Sequence, residues 1–203
     1  MLILGISTSS KYPSAAVMRD GEIISFRIDK SGKSHSATLM EVIDSALSEA
    51  GAEKTDLDAV AVDVGPGSFT GVRIGVSCAN AMAYALGIGV IPVSSLKALS
   101  ALYPEEAAAA SLIDCRNGNC YAALYENGEE KIAPCPAVIS EFMEKLPENA
   151  VIAGDCLGRG DHPDAGLVLK CAFRDAASPL SEASPMYLRP SQAERMRKPD
   201  HAF

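Results

Sequence analysis

The chain has no tryptophan, and aromatic residues make up only 5% of its 203 positions, so it is not built around the stacking of bases or sugar rings. Positive charge is also scarce. Eighteen Lys and Arg stand against 26 Asp and Glu, a net charge of -8, and a chain of that sign lacks the broad attraction that phosphate backbones reward. Direct, unaided binding of nucleic acid is therefore not expected, and Arg189, Arg195, Arg197 and Lys198 near the end read as a solvated tail. The six cysteines contain no Cys-x-x-Cys pair, and the three histidines, His35, His162 and His201, lie far apart. Both observations argue against zinc. The first residues show no cleavage pattern, so secretion and disulfides are not indicated, and reduced thiols in a cytoplasm are expected. No run approaches the length of a membrane span, since even the alanine-rich stretch at 71–87 carries Arg73 and Asn80.

What is present is a chain long enough to bury a core as one domain or two small ones. Met1 to Ile6 reads as a buried strand, Ser14 to Met18 as a second and Glu22 to Arg27 as a third, with Asp20-Gly21 as the hairpin turn between the last two. An amphipathic helix follows to about Ala50, in which Leu39, Met40, Val42, Ile43, Ala46, Leu47 and Ala50 span an arc of roughly 160°. A strand at 59–64, a helix at 68–86 and a short strand at 90–93 complete the order β-β-β-α-β-α. A meander followed by helices that return the chain to the same sheet predicts an α/β fold of the actin-like, ribonuclease-H-like (ASKHA) kind. In the second half, strands at 111–114, 120–125 and 151–153 and a helix near 138–145 suggest a partial copy of the first. Residues 154–166, rich in Gly, Asp and Pro, read as loop, and 184–203 as largely irregular.

The most informative stretch is Gly-Pro-Gly-Ser-Phe-Thr-Gly-Val-Arg-Ile-Gly at 65–75, which leads from a buried strand into a helix capped by Ser68 or Thr70. Its polar side chains Arg73, Ser77, Asn80 and Tyr84 fall within an arc of roughly 60°, and the rest of the helix is apolar or small. One four-residue row reads Gly71, Gly75, Ala79, Ala83, a ridge without bulk along which another backbone can approach closely.

A glycine-rich turn before a helix is a ready anion site, which makes Gly65, Pro66, Gly67, Ser68, Thr70 and Arg73 a candidate phosphate loop. The spacing is one residue too long for Gly-x-Gly-x-x-Gly, and no Lys-Ser/Thr pair of a Walker loop is present. An actin-like phosphotransferase also needs a carboxylate near the end of its first strand, where this chain has Ser7, and Asp63 is the nearest alternative acid. A stand-alone nucleotide-binding enzyme of the ATPase or kinase type is the alternative that these residues leave open. A hydrolase with Ser68 as nucleophile and His35 as base is weaker, since no nucleophile elbow is recognisable.

Met1 to Ser10, His35-Ser36 opening a helix, the stretch 65–75 and Pro92-Val93-Ser94-Ser95-Leu96 together resemble the bacterial TsaB (YeaZ) family, and the central motif is specific to that family and its relative TsaD. Two later islands agree. Asp114 to Tyr121 is similar to the family's Asp-Ala-Arg-x-x-x-x-Tyr segment, and Tyr187-Leu188-Arg189 resembles its C-terminal motif. The resemblance implies two actin-like subdomains. The first, residues 1–100, carries the partner-binding helices; the second, 101–203, is smaller and degenerate with an irregular tail.

It further implies a cytoplasmic, non-catalytic scaffold required for N6-threonylcarbamoyladenosine (t6A) in tRNA. Such a scaffold binds a TsaD-type transferase together with a TsaE-type ATPase, pairs with a second copy when the partner is absent, and meets tRNA only through the complex. No metal and no cofactor are expected beyond weak, vestigial nucleotide binding at the 65–73 loop. On this reading Val72, Val76 and Leu47 cover the chain's own sheet, while Leu39, Ile43, Gly71, Gly75, Ala79 and Met82 face the partner helices. The chain departs from the family at Ser7, where many members carry aspartate.

Overall fold

The computed structural model describes residues 1–105, 107–175 and 178–189. Its first sheet joins β1 (Leu2–Ser7), β2 (Ser14–Arg19), β3 (Glu22–Ile28), β4 (Ala59–Asp63) and β5 (Gly89–Val93) in the order β3-β2-β1-β4-β5. β1 to β3 form an antiparallel meander, and β4 and β5 add in parallel. The Asp20-Gly21 turn between β2 and β3 has positive φ at both residues, 51° and 91°, the twist that a tight hairpin requires.

β1 is buried along its whole length because both faces of the sheet are covered. Leu2, Leu4 and Ile6 meet α1 (His35–Glu49) and α2 (Phe69–Leu86) on one face, and Ile3 meets α5 (Ala165–Arg174) on the other.

The second sheet, β6 (Ala109–Asp114), β7 (Asn119–Glu126), β8 (Glu129–Val138) and β9 (Val151–Gly154), has the order β8-β7-β6-β9. It repeats the first, with an antiparallel meander and one parallel strand, but among the described residues has no counterpart of β5. The expected degenerate copy is thus an actin-like sheet shortened by one strand. Two short helices accompany it: α3 (Ser95–Ser100) lies between the sheets, with Leu96 and Leu99 against Ile113, Ala123 and Tyr125, and α4 (Ile139–Met143) buries Phe142.

Three elements, α3, β8 and α5, lie where the sequence pattern predicts none, and the Gly-, Asp- and Pro-rich segment to Gly166 already contains the start of α5. Although 101 onward supplies the second sheet, α5 returns to cover the first. Residues beyond it do so as well: Leu180 bridges Val90, Met186 N donates to Val64 O at 2.7 Å, and the Asn80 amide exchanges two 2.9 Å hydrogen bonds with the Ala183 backbone. The boundary at residue 100 therefore separates the sheets but not the layers. The expected basic tail residues Arg195, Arg197 and Lys198 lie outside the described residues.

The small ridge of α2 has a different neighbour from the one expected. A Cβ on Gly71 would strike the backbone oxygen of Thr8, and one on Gly75 would strike Thr8 Oγ1. Thr8 Oγ1 itself donates to Gly71 O at 2.7 Å. The missing bulk admits the end of β1, within the same chain.

This contact makes a prediction. Gly71→Ala is expected to destabilise the fold by about 2–3 kcal/mol, because backbone cannot yield as a flexible side chain would, and alanine's helix advantage of about 1 kcal/mol does not offset it. Urea unfolding measures the effect, and a midpoint at or above the parent's would refute the close approach.

Candidate functional site

β4 delivers Asp63 to the centre of the molecule, where its side chain is wholly buried. Four groups donate to it: Ser7 Oγ at 2.8 Å, Ser9 Oγ in a short bond, Ser95 Oγ at 2.5 Å and Gly65 N at 2.9 Å. One carboxylate therefore ties the end of β1, the turn after β4 and the first residue of α3. Burial pushes its pKa above the ordinary aspartate value, and the donors pull it part of the way back. Ser7 stands where an actin-like enzyme would have its acid, and here it donates to one.

The turn itself is engaged in the same way. Gly65 and Pro66 are buried, Ser68 N donates to Ser9 O at 2.7 Å, and Ser68 Oγ accepts from Gly71 N at 3.2 Å as the cap of α2. Gly67 lies against Ser9, so that a Cβ there would come within 2.5 Å of Ser9 O. Thr70 is exposed. Arg73 is engaged by two aromatic residues: its guanidinium lies 4.0 Å from the Phe69 ring centroid, and Nε donates to Tyr187 Oη at 2.7 Å. His35 has its Nε2 3.3 Å from Lys11 O, and Ser68 is occupied by Gly71; neither bond joins the two residues as a nucleophile and base.

Above the turn a cleft of about 540 Å³ separates the two sheets. Ser9, Ser10, Lys11, His35, Gly67 and Ser68 line one wall, and Asp114, Tyr121, Asp155, Asp161 and His162 line the other. The far wall is held by its own bonds. Asp155 accepts from Asp114 N at 2.7 Å, Asp114 from Arg116 N at 2.8 Å, and Asp161 pairs with Arg159 at 3.3 Å. Three carboxylates thus face the cleft. Among the described residues, no group of three His, Cys, Asp or Glu side chains is placed to hold a metal, and no helix is long and apolar enough to cross a membrane.

The outer faces of α1 and α2 form the second candidate surface. Leu39, Ile43, Gly71, Gly75 and Ala79 are buried against the chain's own sheet and β1, together with Val72, Val76 and Leu47. Their expected outward placement is corrected on that ground. Met82 is half-buried. Among the side chains that α1 and α2 leave exposed or half-buried, Ala37, Met40, Ile74, Cys78, Ala81, Met82 and Ala85 are apolar or small, with Met40 45% exposed, while Glu41, Asp44, Ser48, Arg73, Ser77 and Tyr84 are exposed polar residues of the same two helices. The arc assignment failed because a row of small residues reports a close approach without saying which neighbour makes it.

A family model described as TsaD, tRNA N6-adenosine threonylcarbamoyltransferase, matches residues 29–153. The chain is 34% identical over 153 residues to the tRNA threonylcarbamoyladenosine biosynthesis protein TsaB of Bacillus subtilis, covering 73% of this chain and 67% of that one. With TsaB of Escherichia coli it shares 31% over 197 residues, covering 92% and 84%. The chain belongs to the TsaB family.

Solved structures agree. YeaZ from Pseudomonas aeruginosa superposes with a TM-score of 0.72 at 27% identity, over 92% of this chain and 99% of that one. The ethanolamine utilization protein EutJ of Carboxydothermus hydrogenoformans, at 10% identity and a TM-score of 0.52, shares the fold. A transferase from Chlorobium limicola is 37% identical, but over 52% of this chain and 34% of its own length. TsaB-family membership and the paired sheets together establish the actin-like α/β class.

Proposed function

We propose that this TsaB-family chain serves t6A formation in tRNA as a subunit without catalytic chemistry of its own. Its partners on this reading are a TsaD-type transferase, which carries out the transfer, and a TsaE-type ATPase. The observation that carries the scaffold reading over the nucleotide-enzyme reading is the state of Asp63. The one wholly buried carboxylate at the turn accepts from three serines and a backbone N–H, and so acts as a bracket with no lone pair left to orient a metal or take a substrate proton. The apolar strip on α1 and α2 is the surface offered to the transferase, and in its absence to a second copy. Contact with tRNA then comes through the complex, as the net charge of -8 suggests.

The test is reconstitution. A TsaD-type transferase and a TsaE-type ATPase are incubated with unmodified tRNA, threonine, bicarbonate and ATP, together with the enzyme that makes the threonylcarbamoyl donor. With this chain present, mass spectrometry of the digested tRNA is expected to show t6A; without it, background only. Equal yield in both reactions would remove the chain from the process. Calorimetry of the isolated chain with ATP and magnesium separates the rival, for which tight binding followed by turnover would be required.

A further inference from the structure

We propose that Cys78, Met82 and Met40 form a three-sulfur site for a soft monovalent cation, Cu(I) in the first instance. Cys78 and Met82 sit one turn apart on α2, and Met40 reaches across from α1. Cys78 Sγ lies 3.7 Å from Met40 Sδ and 4.0 Å from Met82 Sδ. With metal–sulfur bonds of about 2.3 Å, as in zinc thiolates, a trigonal set of three sulfurs spaces them about 4 Å apart, and the two edges that run from the Cys78 thiol have that spacing.

The donor set decides the cation. One thiolate and two thioethers are soft ligands that select Cu(I) and leave magnesium or calcium without an oxygen. The surroundings suit entry and closure. Met40 is 45% exposed and its long side chain adapts, while Cys78 is half-buried. Burial raises the thiol's pKa, and the nearby Lys54 ammonium, itself paired with Asp44 at 2.6 Å, partly opposes that rise. On binding, the Cys78 thiol proton passes to solvent as the sulfur–metal bond forms, and the metal keeps its oxidation state. The site joins α1 to α2 and lies within the strip proposed for docking; the test uses no partner, so its outcome leaves that proposal untouched.

The experiment is an anaerobic titration of the full, reduced chain with Cu(I) against a chromogenic Cu(I) chelator such as bicinchoninate. The parent is expected to withdraw one tight equivalent, and Cys78→Ser to lose it. Met40→Leu and Met82→Leu are each expected to weaken it by about tenfold or more, at least the loss seen when a supporting group around a metal is removed. Circular dichroism confirms that the variants fold. The remaining thiols provide the control: Cys115 and Cys135 are half-buried and Cys120, Cys156 and Cys171 buried, so the double variant Cys115→Ser, Cys135→Ser is expected to keep the equivalent. Retention of the tight equivalent by Cys78→Ser, its loss from the double variant, or unchanged affinity in both leucine variants would each overturn the site.

Discussion

Replacing Asp63 with alanine is expected to lower the stability of the chain by about 3–5 kcal/mol, which is large for a single side chain. The change leaves the hydroxyls of Ser7, Ser9 and Ser95 and the N–H of Gly65 without their acceptor, all of them buried. Each orphaned donor costs about 1–3 kcal/mol, and the total falls short of the sum because a hydroxyl rotates to find another oxygen. Ser7 has such a fallback in Pro163 O at 3.4 Å, whereas the backbone N–H of Gly65 cannot rotate. Asp63→Asn retains one acceptor oxygen and is expected to lose about half as much. The urea midpoint at unchanged slope reports the loss. A midpoint for the alanine variant within about 1 kcal/mol of the parent would mean that the turn, β1 and α3 are not held together by this group.

The same carboxylate sets a pH dependence whose sign follows from its shift. Burial raises the Asp63 pKa above that of the unfolded chain, so the folded chain binds this proton more tightly. Its contribution is then fully present below the unfolded value of about 4 and declines as pH rises through the native value. The parent's advantage over Asp63→Asn is expected to be larger at about pH 4 than at about pH 7, and taking the difference between the two proteins cancels the other carboxylates. An advantage that grows toward neutrality would show that the four donors outweigh desolvation and hold the group ionised.

The first half of the chain was legible because its signals are strong and local. β1 and β4 are apolar runs covered on both faces, and α1 shows a clean amphipathic arc. The second half hides its elements. β8 has no buried position, opens on three consecutive exposed residues and contains Pro134 and Pro136, so neither period nor propensity marks it as a strand. α5 has only ten residues and follows a Gly-, Asp- and Pro-rich segment; the available signal was Asp164, which caps it by accepting from Leu167 N at 2.9 Å. At the site, the absence of an acid at Ser7 was readable, but the consequence was not. Ser7 and Ser9 from one segment and Ser95 from far along the chain converge on Asp63 only because the end of β1, β4 and α3 meet there. Likewise, the ridge of Gly71 and Gly75 announced a tight contact, and only the fold identifies Thr8 as the neighbour.

That neighbour determines which substitution probes the docking surface. Leucine at Gly75 would force Thr8 away and abolish any complex by damaging the fold, so it cannot report on an interface. Ala81 is exposed on the outer strip of α2, on the same helix face as Ile74, Cys78 and Ala85. Ala81→Arg is expected to leave the melting of the isolated chain within about 0.5 kcal/mol of the parent, as exposed helix positions away from special features do. If the strip packs against helices of the transferase, the same arginine brings a charge into an apolar contact with no partner to pair with. A stranded buried charge costs about 3–5 kcal/mol, which lowers affinity by about a hundredfold or more. Tyr84→Arg supplies the contrast: Tyr84 is 91% exposed within the polar arc of the same helix, and its replacement is expected to leave binding unchanged. Calorimetry or co-purification with the TsaD-type transferase reads the difference. Parent-like affinity in Ala81→Arg, with the fold intact, would move the interface off this strip, whereas a loss confined to Ala81 and spared at Tyr84 would place it between Met40 and Ala85.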